Sequence, residues 1–353
     1  MQPENSLKKQ KTKTNNMKQS ILSFFIIASL ITCVNNATAQ SGYKLTKTFH
    51  VASPGGWDYI TVNPKSNKLY LSHGGQVNIL DKTTGDSLGV IPNTTGVHGI
   101  AFINEMNKGY TSNGRINNVS VFNLNTNAVI SQIATGENPD AIFYDPYSKR
   151  IITCNGRSKD LTIIDATTDK VVATIPVGGK PETAVSDQAG KIFVNIEDKN
   201  EIVAIDITKN EVIGHWSLNG GESPTGLEID VKTKRLFAGC EKQLVIMDAT
   251  NGKIVTTLPI GEGCDGVAFD NSTKLILTSN GSSATMTVIK ENSANDFKVI
   301  DNAATKKGAR TICVDESTHK AYLPTADYEP QAAGQTGRPK MINGSFQVIV
   351  MEK

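Results

Sequence analysis

Residues 161–169 read Leu-Thr-Ile-Ile-Asp-Ala-Thr-Thr-Asp, an apolar β-branched run that stops at an acid and a polar turn. The same pattern recurs as ILDKTTG, FNLNTN, IIDATTD, AIDITKN, IMDATNG and VIKENSAND, anchored at Asp81, Asn123, Asp165, Asp206, Asp248 and Lys290. Successive anchors lie 42, 42, 41, 42 and 42 residues apart. A second marker precedes each copy: SPGGWD, TTGVHG, GENPDA, GGKPET, GESPTG, GEGCDG and KKGART. These make seven copies, the last ending in VIVMEK. Within residues 136–177, Gly and Pro mark the breaks while Val, Ile and Thr fill four short runs. No stretch holds a helical period over three turns.

Four short antiparallel strands at a fixed period of this length predict a β-propeller, here all-β and seven-bladed. A single blade cannot bury both faces, whereas blades stacked around an axis can. The last copy stops after its third strand, Val348–Met351, and a lone strand (44–51, KLTKTFHV) precedes the first copy. The N-terminal strand is therefore expected to complete the last blade. Residues 40–353 read as a single domain, expected to be a monomer.

The chain has 36 Lys and Arg against 34 Asp and Glu. Residues 1–39 hold five lysines and one acid, so the rest carries 31 basic against 33 acidic side chains, a formal −2. A near-neutral body with 6% aromatics disfavours nucleic-acid binding. From Met17, an alternative start, a lysine precedes a 14-residue apolar run, Ile21 to Val34, followed by Ala37-Thr38-Ala39. That pattern reads as a signal peptide cut after Ala39, implying export to the periplasm or beyond. The run is short for a membrane span. Lipoprotein processing at Cys33 is the minority alternative, because Thr32 suits a lipobox poorly.

The second strand of several copies ends in a related tetrapeptide: Tyr70-Leu71-Ser72-His73, Tyr110-Thr111-Ser112-Asn113, Ile152-Thr153-Cys154-Asn155 and Leu277-Thr278-Ser279-Asn280. Phe193-Val194-Asn195-Ile196 and Phe237-Ala238-Gly239-Cys240 depart from it. With the G-x-x-P turn, residues 44–353 resemble the YVTN-type (40-residue repeat) seven-bladed propellers of exported bacterial proteins. The resemblance implies a binding or surface role more than a reaction, although related propeller groups include lactonases. Fold alone does not fix function.

Equivalent positions of a propeller form rings. The residues opening the first strands, Trp57, His98, Asp140, Glu182, Thr225, Asp265 and Arg310, are expected to surround one channel mouth. Those closing the second strands, His73, Asn113, Asn155, Ile196, Cys240, Asn280 and Thr325, are expected beside them. The first ring mixes an aromatic face, an imidazole, three carboxylates, a hydroxyl and a guanidinium. It suits a small polar ligand, a glycan or a cell-envelope protein, with Arg310 gripping an anion and Trp57 stacking. His73, Asn113, Asn155 and Asn280 are added as ligand contacts. Were the protein an enzyme of lactonase or metal-assisted hydrolase type, Asp140, Glu182, His98 and Arg310 would act. A structural adaptor without a pocket is the third reading.

No cofactor is expected, but a divalent metal is an option at His73 and His98 with Asp58 or Asn113, or between Asp140 and Glu182. An Asp265–Arg310 salt bridge is also expected. Cys240 and Cys264 are a disulfide candidate, while Cys154 and Cys313 should stay apart. The last blade carries 61 residues from Lys290 to Met351, an excess of 19 over the usual 42. The excess lies in the loop 326–345, where Tyr328, Glu329, Arg338 and Lys340 could reach over the mouth.

Overall fold

The computed structural model describes residues 41–330 and 340–353. Its strands form seven four-stranded antiparallel sheets. The first strands of blades 1 to 7 are Trp57–Val62, Val97–Ile103, Pro139–Asp145, Pro181–Ser186, Leu227–Asp230, Cys264–Asp270 and Cys313–Asp315. Each touches its counterpart in the next blade, and the seventh touches the first, so the ring closes. Blade 7 is built from both ends of the chain: Lys44–His50 pairs antiparallel with Gln347–Glu352, with Phe49 opposite Val348.

In four blades an anchor acid explains why the third strand stops where it does. Asp81 Oδ1 accepts the backbone N–H groups of Thr83 and Thr84 at 2.8 and 2.9 Å. Asp165 repeats the arrangement with Thr167 and Thr168 at 3.0 and 2.8 Å. The carboxylate thus satisfies the turn's donors, an Asx turn. The residue ending that turn is left-handed, with φ of 83° at Gly85 and 59° at Asn127. Glycine and asparagine accept that conformation at least cost.

The core lies between blades. Ile152, Leu161, Ile163 and Ile175 of blade 3 pack against Ala184, Ile192, Val194 and Val203 of blade 4. Leu277, Met286 and Val288 of blade 6 pack with Leu323, Ile349 and Met351 of blade 7. Side-chain hydroxyls also tie neighbouring blades near the axis. Ser112 donates to the carbonyl of Asp140, and Ser279 to that of Arg310. Thr311 donates to the carbonyl of Asp58 at 2.6 Å, and Thr225 to that of Cys264 at 2.8 Å. These bonds hold the backbone at the points where the ring residues emerge. The expected signal peptide, residues 1–39, with Cys33, lies outside the described residues, as does Arg338.

Candidate functional site

Sheet register decides which side chains enter the channel. Val97, Pro139, Pro181 and Cys264 pair with Asn113, Asn155, Ile196 and Asn280, and the residue after each begins a bulge. His98, Asp140, Glu182 and Asp265 are those following residues. In blade 1, Trp57 is the one that pairs, with His73, so the ring residue is Asp58. The expected ring is therefore corrected by one position there. The marker SPGGWD puts Trp57 where the other copies have Pro, Val, Cys or Ala.

Residues from several blades meet at this mouth. His98 Nδ1 lies 2.6 Å from Asp58 Oδ2 and 3.7 Å from Asp140 Oδ1. Arg310 forms the expected salt bridge with Asp265, reaches Asp58 Oδ1 at 3.3 Å, and donates to the Trp57 carbonyl at 2.9 Å. Lys180 bridges Glu182 and Glu197. Thr225 takes no part, because its hydroxyl is bound to the Cys264 carbonyl.

Crowding of acids sets the proton affinities. Burial, reinforced by the Asp58 charge, pushes Asp140 up to about 7. Burial and Asp140 likewise push Glu182 up to about 9, while Lys180 pulls it back. Burial also raises Asp265 against the pull of Arg310. Burial opposes ionisation of Asp58, but the bonds and charges of His98 and Arg310 hold it below the usual carboxylate range. Burial opposes protonation of His98 too, yet the Asp58 bond and the two neighbouring acids raise it above an ordinary histidine.

The second expected ring lies elsewhere. Asn113, Asn155 and Asn280 are fully buried within their own blades. Asn155 Nδ2 donates to Asp160 Oδ1 at 2.7 Å and Thr162 Oγ1 at 2.8 Å, while its Oδ1 accepts from Thr153 at 3.0 Å. Asn113 bonds Asn118 and Ser120 at 2.8 and 2.9 Å; Asn280 bonds Thr285 and Thr287 at 3.2 and 2.9 Å. Their carboxamides latch the second strand to the third, which corrects the expected ligand contact. Ile196, Cys240 and Thr325 are buried as well.

His73 is separated from His98 in the same way. Its Nδ1 bonds Ser53 Oγ, its Nε2 lies 2.8 Å from the Gly55 carbonyl, and its ring stacks on Phe346 at 3.9 Å. Burial lowers its pKa, so it sits there as a neutral core imidazole. A His73–His98 metal pair does not form. Cys240 and Cys264 are free thiols, as are Cys154 and Cys313. The disulfide expectation is corrected because the two pack into different inter-blade cores, Cys240 beside Leu218 and Val245, Cys264 beside Phe237 and Val267.

The two described ends of the long loop, 326–330 and 340–345, bring Tyr328 and Met341 to this mouth. Asp327 and Glu329 pair with Ile342 and Lys340 through backbone bonds of 2.8 Å each, which brings Tyr328 beside Trp57 at 6.5 Å between ring centroids. Lys340 is engaged with Glu329 at 2.7 Å. Trp57, Tyr328, Met341, Asp265, Lys307 and Arg310 line a cavity of about 560 Å³. Trp57 Nε1 is buried without a hydrogen-bond partner among the described residues.

Below the ring one side chain crosses the channel. Six blades place a small residue after the ring position: Gly99, Ala141, Thr183, Gly226, Gly266 and Thr311. Blade 1 places Tyr59 there, whose hydroxyl comes within 3.5 Å of Thr183 Oγ1 of blade 4, across the ring. Beyond it, a cavity of about 680 Å³ opens, with Glu228 and Glu316 among its lining. Burial pushes Glu228 up to about 8. Tyr59, Lys180, Glu197 and Glu228 escape sequence reading. Only the lone bulky residue among six small ones signals Tyr59.

No protein-family model and no curated protein matches the chain. Solved structures do. The chain is similar to a Kuenenia stuttgartiensis hydrazine synthase chain at 16% identity and a TM-score of 0.68, covering 78% of this chain and 94% of that one. The RRP9 WD40 repeats match at 9% identity and 0.72, covering 90% and 99%. U3-55K matches at 9% and 0.71, covering 88% and 99%. Identities this low carry the architecture alone, so the chain is a seven-bladed β-propeller, a fold compatible with binding or scaffold roles.

Proposed function

We propose that this is an exported binding protein that takes a saccharide or similarly polar small ligand at the loop-bearing mouth. The observation carrying this reading is the 560 Å³ cavity, where two aromatic side chains, Trp57 and Tyr328, stand beside Asp265, Lys307 and Arg310. Aromatic faces suit the C–H faces of sugar rings, and a few fixed polar groups select hydroxyl patterns. Export rests on the apolar run 21–34 and the Ala37-Thr38-Ala39 site. Among the described residues no helix is long and apolar enough to cross a membrane.

The chain has two tryptophans, Trp57 and Trp216, so a Trp216→Phe variant reports on the mouth alone. Saccharide binding, found on a glycan array and titrated by the emission of Trp57 in Arg310→Ala and by calorimetry in Trp57→Ala, should weaken at least tenfold in both. Absence of any binder, or binding indifferent to both changes, would overturn the reading. Export predicts that chains recovered from the cell envelope start at Gln40.

A hydrolytic reading draws on one observation, the Asp58–His98 pair beside Asp140. An imidazole oriented by one carboxylate, next to a carboxyl titrating near neutrality, is acid–base equipment. Lactone turnover that vanishes in His98→Gln would favour it.

A further inference from the structure

We infer that Asp58, His98 and Asp140 form a binding site for a first-row divalent metal ion, Zn²⁺, Mn²⁺ or Co²⁺. One donor atom from each lies within 4.8 Å of the others. The three come from the first strands of blades 1, 2 and 3, so the site exists only in the closed fold. Donors held about 2.1 Å from one such ion stand about 3.0–3.4 Å apart. The spacings of 2.6 and 3.7 Å from His98 Nδ1 bracket that value, so small rotamer adjustments bring the three donors onto one ion.

The second observation is the isolation of Asp140. Arg310 serves Asp265 and Asp58, and Lys180 serves Glu182 and Glu197. Asp140 makes no salt bridge to a lysine or arginine and no side-chain hydrogen bond among the described residues; Lys180 acts on it only at a distance, and the one cation within 4 Å is His98 at 3.7 Å. Its side chain is only 13% exposed. A carboxylate so buried lacks its compensating charge. Around the mouth five acids, Asp58, Asp140, Glu182, Glu197 and Asp265, face three permanent cations, Lys180, Lys307 and Arg310, so a dication reduces an existing imbalance.

The supports are already in place. The backbone of Asp58 is fixed by its N–H bond to Ser72 Oγ at 3.0 Å and by Thr311 on its carbonyl, and that of Asp140 by Ser112. Arg310 holds the far oxygen of Asp58, an outer contact that orients a ligand. Gly114 leaves room for the imidazole, since a Cβ there would stand 2.7 Å from His98 Nε2. The His98 side chain is 27% exposed, so water can complete the coordination. An imidazole donor favours first-row transition ions and zinc over Ca²⁺ or Mg²⁺, which prefer all-oxygen sites.

The site is independent of the saccharide reading, so the two are tested side by side. The full chain, untagged, is stripped with chelator, desalted and titrated calorimetrically with Zn²⁺, Mn²⁺, Co²⁺ and Ca²⁺. The expectation is one equivalent of a first-row ion, Ca²⁺ at least tenfold weaker, and a loss of at least about 100-fold in His98→Gln and Asp140→Asn. No uptake by the native chain, or equal uptake by both variants, overturns the site. Should the variants misfold, broadening of the native His98 imidazole signals by sub-stoichiometric Mn²⁺ decides, and its absence counts against the site. Saccharide binding sensitive to Trp57→Ala without metal uptake would sink this inference alone; metal uptake without saccharide binding would sink only the other.

Discussion

Two sets of polar side chains lie at the same end of the blades and have opposite purposes. Asn113, Asn155 and Asn280 repeat one residue with one set of bonds, buried and satisfied inside each blade. Asp58, His98, Asp140, Asp265 and Arg310 differ from blade to blade and interact across blades. In a repeated fold, sameness at a polar position marks a part each unit needs for itself. Difference marks a part that only the assembled ring uses.

The largest test of that contrast is Asn155→Ala. It strips a fully buried latch and leaves Thr162 and Asp160 short of a donor, so unfolding in urea should show a loss of about 2–4 kcal/mol. Metal or saccharide affinity of the folded fraction should not change. If it does, the carboxamides are not confined to the blades.

A mouth residue should behave the other way. Asp140 has its folded pKa raised to about 7 from 3.8, so its contribution favours the fold in acid and is lost as pH climbs between those values. In chelator, Asp140→Asn removes that loss. The variant should match the parent near pH 4 and exceed it by about 1–3 kcal/mol at pH 8, checked by melting temperature across pH. Equal stability at pH 8 would mean that the carboxylate is well compensated.

Glu228, raised to about 8 in the opposite cavity, should follow the same sign by about 1–2 kcal/mol when changed to Gln. Because Tyr59 stands between, its change should leave metal affinity at the mouth unaltered. Ser112→Ala, which removes one inter-blade bond, should cost about 1 kcal/mol and weaken the metal site slightly through Asp140. The smallest effect belongs to reductant. With four free thiols among the described residues, and burial pushing Cys240 up to about 12, melting temperatures with and without dithiothreitol should coincide.

The sequence made the blades legible because each strand end carries its own turn chemistry, as at Asp81 and Asp165. Position around the axis was legible from the period. Side-chain direction was not. The one-residue difference between SPGGWD and its counterparts hid Asp58 behind Trp57, since only pairing with His73 sets the register there. The buried asparagines were misread because a polar strand end resembles a mouth residue. Their companions were visible all the same: Thr111, Thr153 and Thr278 two places before, and Ser120, Thr162 and Thr287 seven places after. The cysteines shared an end of the molecule but not a core, which spacing along the chain cannot distinguish. Lys180 and Glu197 act through each other, and a lysine two places before a ring position carries no pattern.

The pairing of Lys44–His50 with Gln347–Glu352 means that the circle is fastened by the first and last strands of the domain. A nascent chain that lacks residues 347–352 cannot shut it and remains an open arc until they are available. Shaving a few residues from either tip should unzip one and the same seam.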